Sequence, residues 1–161
     1  MMSSVLGEAI FDSSMTYRYQ LTRNWNTLVS TKGIITWVMM NPSTADQFQD
    51  DPTIRRCISF SKNWGYSGLI ITNIYAFRST DPKGLLKVGD PMGPDNPTYI
   101  KDALDKSSSI VVAWGSFIDP PTPVREVLKD YSLFCLGTTK HGHPKHPLYI
   151  KGDTIPIRFH L

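Results

Sequence analysis

Cysteine is scarce: Cys57 and Cys135 are the only two in 161 residues. They stand far apart in apolar segments, with no CxxC pair and no histidine beside them. A disulfide framework or a cysteine-held metal is therefore not expected, and the chain reads as one that works reduced, in the cytoplasm. No apolar run approaches the length of a membrane span, and the start, MMSSVLGEAIF, lacks the basic residues and long apolar core of a secretory leader. A soluble chain without a membrane partner is expected. Blocks of like charge are missing too, because 17 Lys and Arg against 14 Asp and Glu are scattered to a net +3. Such a balance is compatible with a nucleic acid or nucleotide partner and selects it only weakly. The P-loop, GxGxxG, GxSxG and HExxH patterns are all absent, which excludes the best-marked nucleotide-binding, hydrolase and zinc-protease readings.

What is present is enough apolar sequence for one sizeable core, so residues 1–161 read as one domain. Four apolar runs recur, at 34–40, 69–74, 109–113 and 132–136, the first three rich in β-branched residues. Between them lie three helical segments, opening at Asp51-Pro52, Asn96-Pro97 and Thr122-Pro123, each with a capping residue followed by proline. Strand and helix in alternation predict an α/β fold with a central four-stranded parallel sheet over 31–150. Residues 1–30 are expected to add an antiparallel edge strand or hairpin, on the alternation across 11–25, and 151–161 a C-terminal extension.

Ligands of open parallel sheets bind outside the carboxyl ends of the strands. The first strand is followed there by Asn41-Pro42-Ser43-Thr44-Ala-Asp46 and by Asp50-Asp51. The second ends at Asn73 and leads to Tyr75, Phe77, Arg78, Thr80 and Asp81; the third leads to Trp114-Gly115. The fourth opens into 137–149, with Lys140, His141, His143, Lys145 and His146. Amides, carboxylates, aromatics and imidazoles thus gather at one edge, as a polar site with stacking walls requires. Each residue also has a structural reading: Asn41-Pro42 suits a turn, Asp51 a helix cap, Phe77 and Trp114 a core. The histidines lack cysteine partners and an anchoring carboxylate motif, so neither a metal nor another cofactor is expected.

The segments Val38-Met-Met-Asn-Pro-Ser-Thr-Ala-Asp46, Asp51-Pro-Thr-Ile-Arg-Arg56, Ala113-Trp-Gly115 and Leu136 to Tyr149 resemble an uncharacterised bacterial and phage family, a domain of unknown function. More distantly, the order of motifs resembles the uracil-DNA glycosylase superfamily, which implies a parallel four-stranded sheet between two layers of helices. Asn41-Pro42 is similar to the Asn-Pro of its mismatch-specific branch, a loop that positions the attacking water. Asn73 is similar to the Asn that reads the flipped base, and Trp114-Gly115 to the Leu-Trp-Gly of the third strand. His146-Pro147 is similar to the His-Pro whose histidine stabilises the departing base. No Ser follows Pro147, and the Gly-Gln-Asp-Pro-Tyr motif of the main branch is absent. The resemblance implies cleavage of an N-glycosidic bond, which needs an oriented water, a reader of the base and an oxyanion stabiliser. Asn41 with Asp46 or Asp50, Asn73, and His146 fill these roles; Phe77 or Trp114 would stack on the base, and Arg78, Lys140 and Lys145 would meet phosphates. The alternative is a module, perhaps phage-encoded, that binds a base or nucleotide without cleaving it.

Overall fold

The computed structural model describes residues 5–25 and 32–161. Expectations that fall on 1–4 and 26–31 lie outside the described residues. Side chains that are mostly apolar or β-branched let a strand be covered on both faces, and β3 (Ile34–Met39) and β4 (Gly68–Asn73) are buried almost throughout. They pair in parallel, and β3 pairs in parallel again with β5 (Ser109–Val112) on its other side. β5 in turn lies parallel to β6 (Leu133–Cys135).

Antiparallel strands flank this set. β1 (Val5–Phe11) and β2 (Arg18–Trp25) form a hairpin, β2 pairs with β4, and β7 (Ile157–Phe159) pairs with β6. The result is a mixed α/β protein with a seven-stranded sheet in the order β1-β2-β4-β3-β5-β6-β7. The N-terminal hairpin begins earlier than the alternation over 11–25 indicates, because β1 carries its own strand. The C-terminal segment 151–161 contributes β7 to the sheet.

Among the described residues, three α-helices cover the sheet. Ile54, Cys57 and Phe60 of α1 (Pro52–Asn63) pack with Trp37, Met39 and Ile71 on one face. Ile100 and Leu104 of α2 (Asn96–Lys106), and Val124 and Leu128 of α3 (Thr122–Leu128), pack with Val38, Val112 and Cys135 on the other. Trp37 anchors the first core: it stacks on Trp64 at 5.6 Å, and its Nε1–H donates to Ser61 Oγ at 2.9 Å. Only α1 follows the expected cap-then-proline grammar, with Asp51 Oδ1 accepting from the Ile54 N–H at 2.8 Å. The caps of α2 and α3 are Asp95 and Pro121, neither with a side-chain capping bond; in α2, Asn96 instead turns back to donate to the Asn73 and Ile74 carbonyls, and in α3 the proline has no side-chain acceptor. Both cysteines are free and buried, and burial raises both thiol pKa values, Cys57 well above its ordinary range. Among the described residues, no helix is long and apolar enough to cross a membrane.

Candidate functional site

Parallel pairing sets Met39 beside Asn73, so the loops that follow β3 and β4 leave the sheet together. Asn41 ties them: its Nδ2 donates to the Pro42 carbonyl at 3.0 Å and to the Ser79 carbonyl at 2.9 Å. The Ser79 N–H returns a bond to Pro42 O at 2.9 Å. β2 runs against β4, which brings the first residue of β2, Arg18, to the edge where β4 ends. Its N–H donates to Ala76 O at 3.0 Å. Below the loops lies the N-terminus of α1. Arg56 of that helix donates to the carbonyls of Pro147 and Ile150, holding the short 3-10 turn Pro147–Tyr149 that His146 caps.

These pieces enclose a cavity of about 130 Å³. Asn41, Pro42, Ser43, Asn73 and His146 all lie on its wall, so five of the expected site residues are brought together. Met39, Met40, Ile54 and Ile71 provide its apolar surface, and Arg18, Asp51, Thr53, Ser79 and Thr80 add polar groups.

Two wall residues carry buried donors without partners. Asn73 is 1% exposed and its Nδ2 is unbonded; Arg18 is 2% exposed and its Nε is unbonded. An unsatisfied buried donor costs about 1–3 kcal/mol, more when it is charged, so such groups point to a ligand that completes them. Burial lowers the Arg18 pKa to about 10, which leaves the guanidinium charged at neutral pH.

His146 Nδ1 accepts from the Leu148 N–H at 3.3 Å, which puts the proton of the neutral ring on Nε2 as its free donor. Burial pushes the His146 pKa below its ordinary 6.5, against the nearby Asp51 charge, which raises it. In the unfolded chain the ring titrates at the ordinary value, so the folded state resists protonation. The stability contributed by the neutral ring is therefore complete above pH 6.5 and is lost as pH falls through the lowered folded value. Ligand affinity of the wild type is expected to be flat from pH 6.5 until the Arg18 value of about 10 is approached and to change below pH 6.5, and His146→Gln should erase that acidic limb. Titrating binding by fluorescence or calorimetry across this range checks the expectation.

The remaining expected residues stand away from the wall. Asp46 Oδ1 accepts from the N–H groups of Phe48 and Gln49, bonds that lower its pKa and fold its own loop. Asp50 pairs with Arg23 Nε at 2.8 Å. Thr44 is exposed. Phe77 packs edge-on to Tyr17 at 6.2 Å, and Arg78 lies over the Phe11 ring at 4.8 Å. Trp114 is buried against Phe159 in the core of the α2 and α3 face, so it is a packing residue. Gly115 has φ +78° and donates its N–H to Pro144 O, which braces the 137–146 loop. Lys140 and Lys145 are exposed on that loop. Asp51, read as a cap, both caps α1 and borders the cavity.

A mixed α/β protein with a donor-rich cavity at the strand ends is the class that fold and site define. Over residues 18–148 the chain matches a family described as a protein of unknown function (DUF1643), and it belongs to that family. No curated protein and no solved structure matches it. The matched segment opens at Arg18 and closes just past His146, the first and last residues of the cavity wall.

Proposed function

We propose that the cavity holds a nucleobase, in nucleic acid or a nucleotide, and that the protein hydrolyses the N-glycosidic bond joining it to the sugar. The observation that carries this reading is the buried, unpaired amide of Asn73 on a wall shared with Asn41 and His146. A base edge presents the acceptor that Asn73 lacks. The layering, α1 on one face and α2 with α3 on the other of a sheet whose β4, β3, β5 and β6 are parallel neighbours, is of the kind expected for the uracil-DNA glycosylase superfamily.

Geometry redistributes the roles. Asn41 Nδ2 is occupied, so its Oδ1 is the atom left to orient a water. Asp51, with one oxygen on the helix cap and the other unbonded, is the carboxylate beside it in place of Asp46 or Asp50. A neutral His146 offers Nε2–H to the negative charge developing on the departing base. Met39, Met40, Ile54 and Ile71, rather than Phe77 or Trp114, supply the apolar contact to the ring.

One observation favours a second reading, a module that binds and does not cleave. Asp51 is the only carboxylate on the wall among the described residues, and capping already engages it. Single-turnover release of free base, measured beside equilibrium binding over uracil-containing, hydroxymethyluracil-containing and other modified DNA and nucleotides, separates the two. Release supports the enzyme; tight binding with no release from any ligand decides for the module. Asn73→Ala is expected to weaken binding by about ten- to a hundredfold through loss of one buried hydrogen bond, while changing the rate for bound ligand much less. Equal loss of rate and affinity would reassign Asn73 to the chemistry.

A further inference from the structure

Two arginines lie in β2, both almost wholly buried, and they differ in what they touch. Arg23 is satisfied: Nε meets Asp50, Nη1 the Thr22 carbonyl, and Nη2 the carbonyls of Asp46 and Gln49. Arg18 has one protein acceptor, Ala45 O at 2.9 Å from Nη1, no ion pair among the described residues, and an unbonded Nε on the cavity wall. Burial disfavours the charge of this guanidinium, and the carboxylates of Asp51 and Asp46 favour it without pairing with it, opposed by Arg78 and Arg23. A carbonyl oxygen from a ligand would occupy Nε and leave the charge without a direct partner; an oxyanion answers both the donor and the charge.

The N-terminus of α1, a helix of 12 residues, borders the same cavity. Pro52 has no N–H and Asp51 takes that of Ile54, which leaves Thr53 N–H and the helix dipole to favour negative charge there.

We propose that Arg18 marks an oxyanion subsite, so that the ligand is a base or nucleotide carrying a phosphate or carboxylate within reach of this guanidinium. The inference rests on the reading of the cavity as a base-binding site and narrows its substrate class.

The test is equilibrium binding, by calorimetry, of probe pairs that differ in one oxyanion: uridine against uridine monophosphate, and uracil against a uracil carboxylate, with inorganic phosphate alone as a further probe. The anionic member of at least one pair is expected to bind about tenfold tighter or more, the scale of one charge-assisted contact, and the pair that shows it tells phosphate from carboxylate. Arg18→Gln should remove that advantage and leave the neutral probe nearly unchanged. Asp51→Asn keeps an N-cap and removes a nearby negative charge, so it should tighten the anionic probe; this decides the matter even if Arg18→Gln does not fold. Equal affinity within both pairs, no binding of any anionic probe, or an advantage that survives Arg18→Gln overturns the subsite. Neutral bases binding without an anionic advantage would leave the base reading intact. Phosphate binding through Arg18 with no contribution from any base would keep the subsite and end the base reading.

Discussion

His146→Ala is expected to slow base release by about a hundred- to a thousandfold, the effect of removing one preorganised donor to a developing anion. Binding should change far less, because the charge that Nε2–H meets develops only as the bond breaks. Asp51→Asn should reduce the rate on a similar scale, since an amide keeps the α1 cap but cannot accept a proton from water. Asp46→Ala serves as the contrast. Its carboxylate folds the loop through the Phe48 and Gln49 amides and stands off the wall, so its loss should loosen the loop without a selective effect on the chemical step. Single-turnover rates for the three variants, set beside their affinities, test the assignment. A full rate with His146→Ala would remove the histidine from the mechanism.

The largest effect on stability is expected from Arg23→Ala. Removing one partner of a buried charged network costs about 3–5 kcal/mol, and the lower end applies because the Asp50 side chain is 31% exposed and can rehydrate. Three carbonyls, of Thr22, Asp46 and Gln49, each lose a donor at the same time, and that of Gln49 keeps the Asp46 N–H. Urea unfolding should show a lower midpoint with an unchanged slope. Ligand affinity should fall as well, since the loop held by Arg23 runs from the Asn41 end of the cavity to the Asp51 cap.

Local rules made much of this architecture legible. Asp51-Pro52 sets the start of α1 because the cap and the proline act within one turn, and apolar runs mark β3 to β6 because a doubly covered strand has no polar side. Asn41, Asn73 and His146, which share the cavity wall, stand out by position, at or just past the end of a strand or in the last loop. Arg18 does not, because a search of the carboxyl ends of parallel strands overlooks an antiparallel neighbour that presents its first residue at the same edge. Phe77 and Trp114 stand off the cavity wall for a related reason. Position along the chain puts a side chain near the edge, but packing against Tyr17 and Phe159 decides which way it turns. Asp46 and Asp50 sit in the same loop, yet the Asp46 carboxylate turns onto the N–H groups two and three residues on, and that of Asp50 is claimed by Arg23, a partner no spacing rule reveals.

The wall of the cavity is drawn from residues as far apart as Arg18 and His146. During synthesis, a chain growing from its N-terminus holds the basic side of the site long before the imidazole side leaves the ribosome. No nascent intermediate possesses a complete wall, so the protein should be inert towards its ligand until nearly all of the matched segment has emerged. Competence then arrives in one late event, when the 137–146 loop closes over the N-terminus of α1.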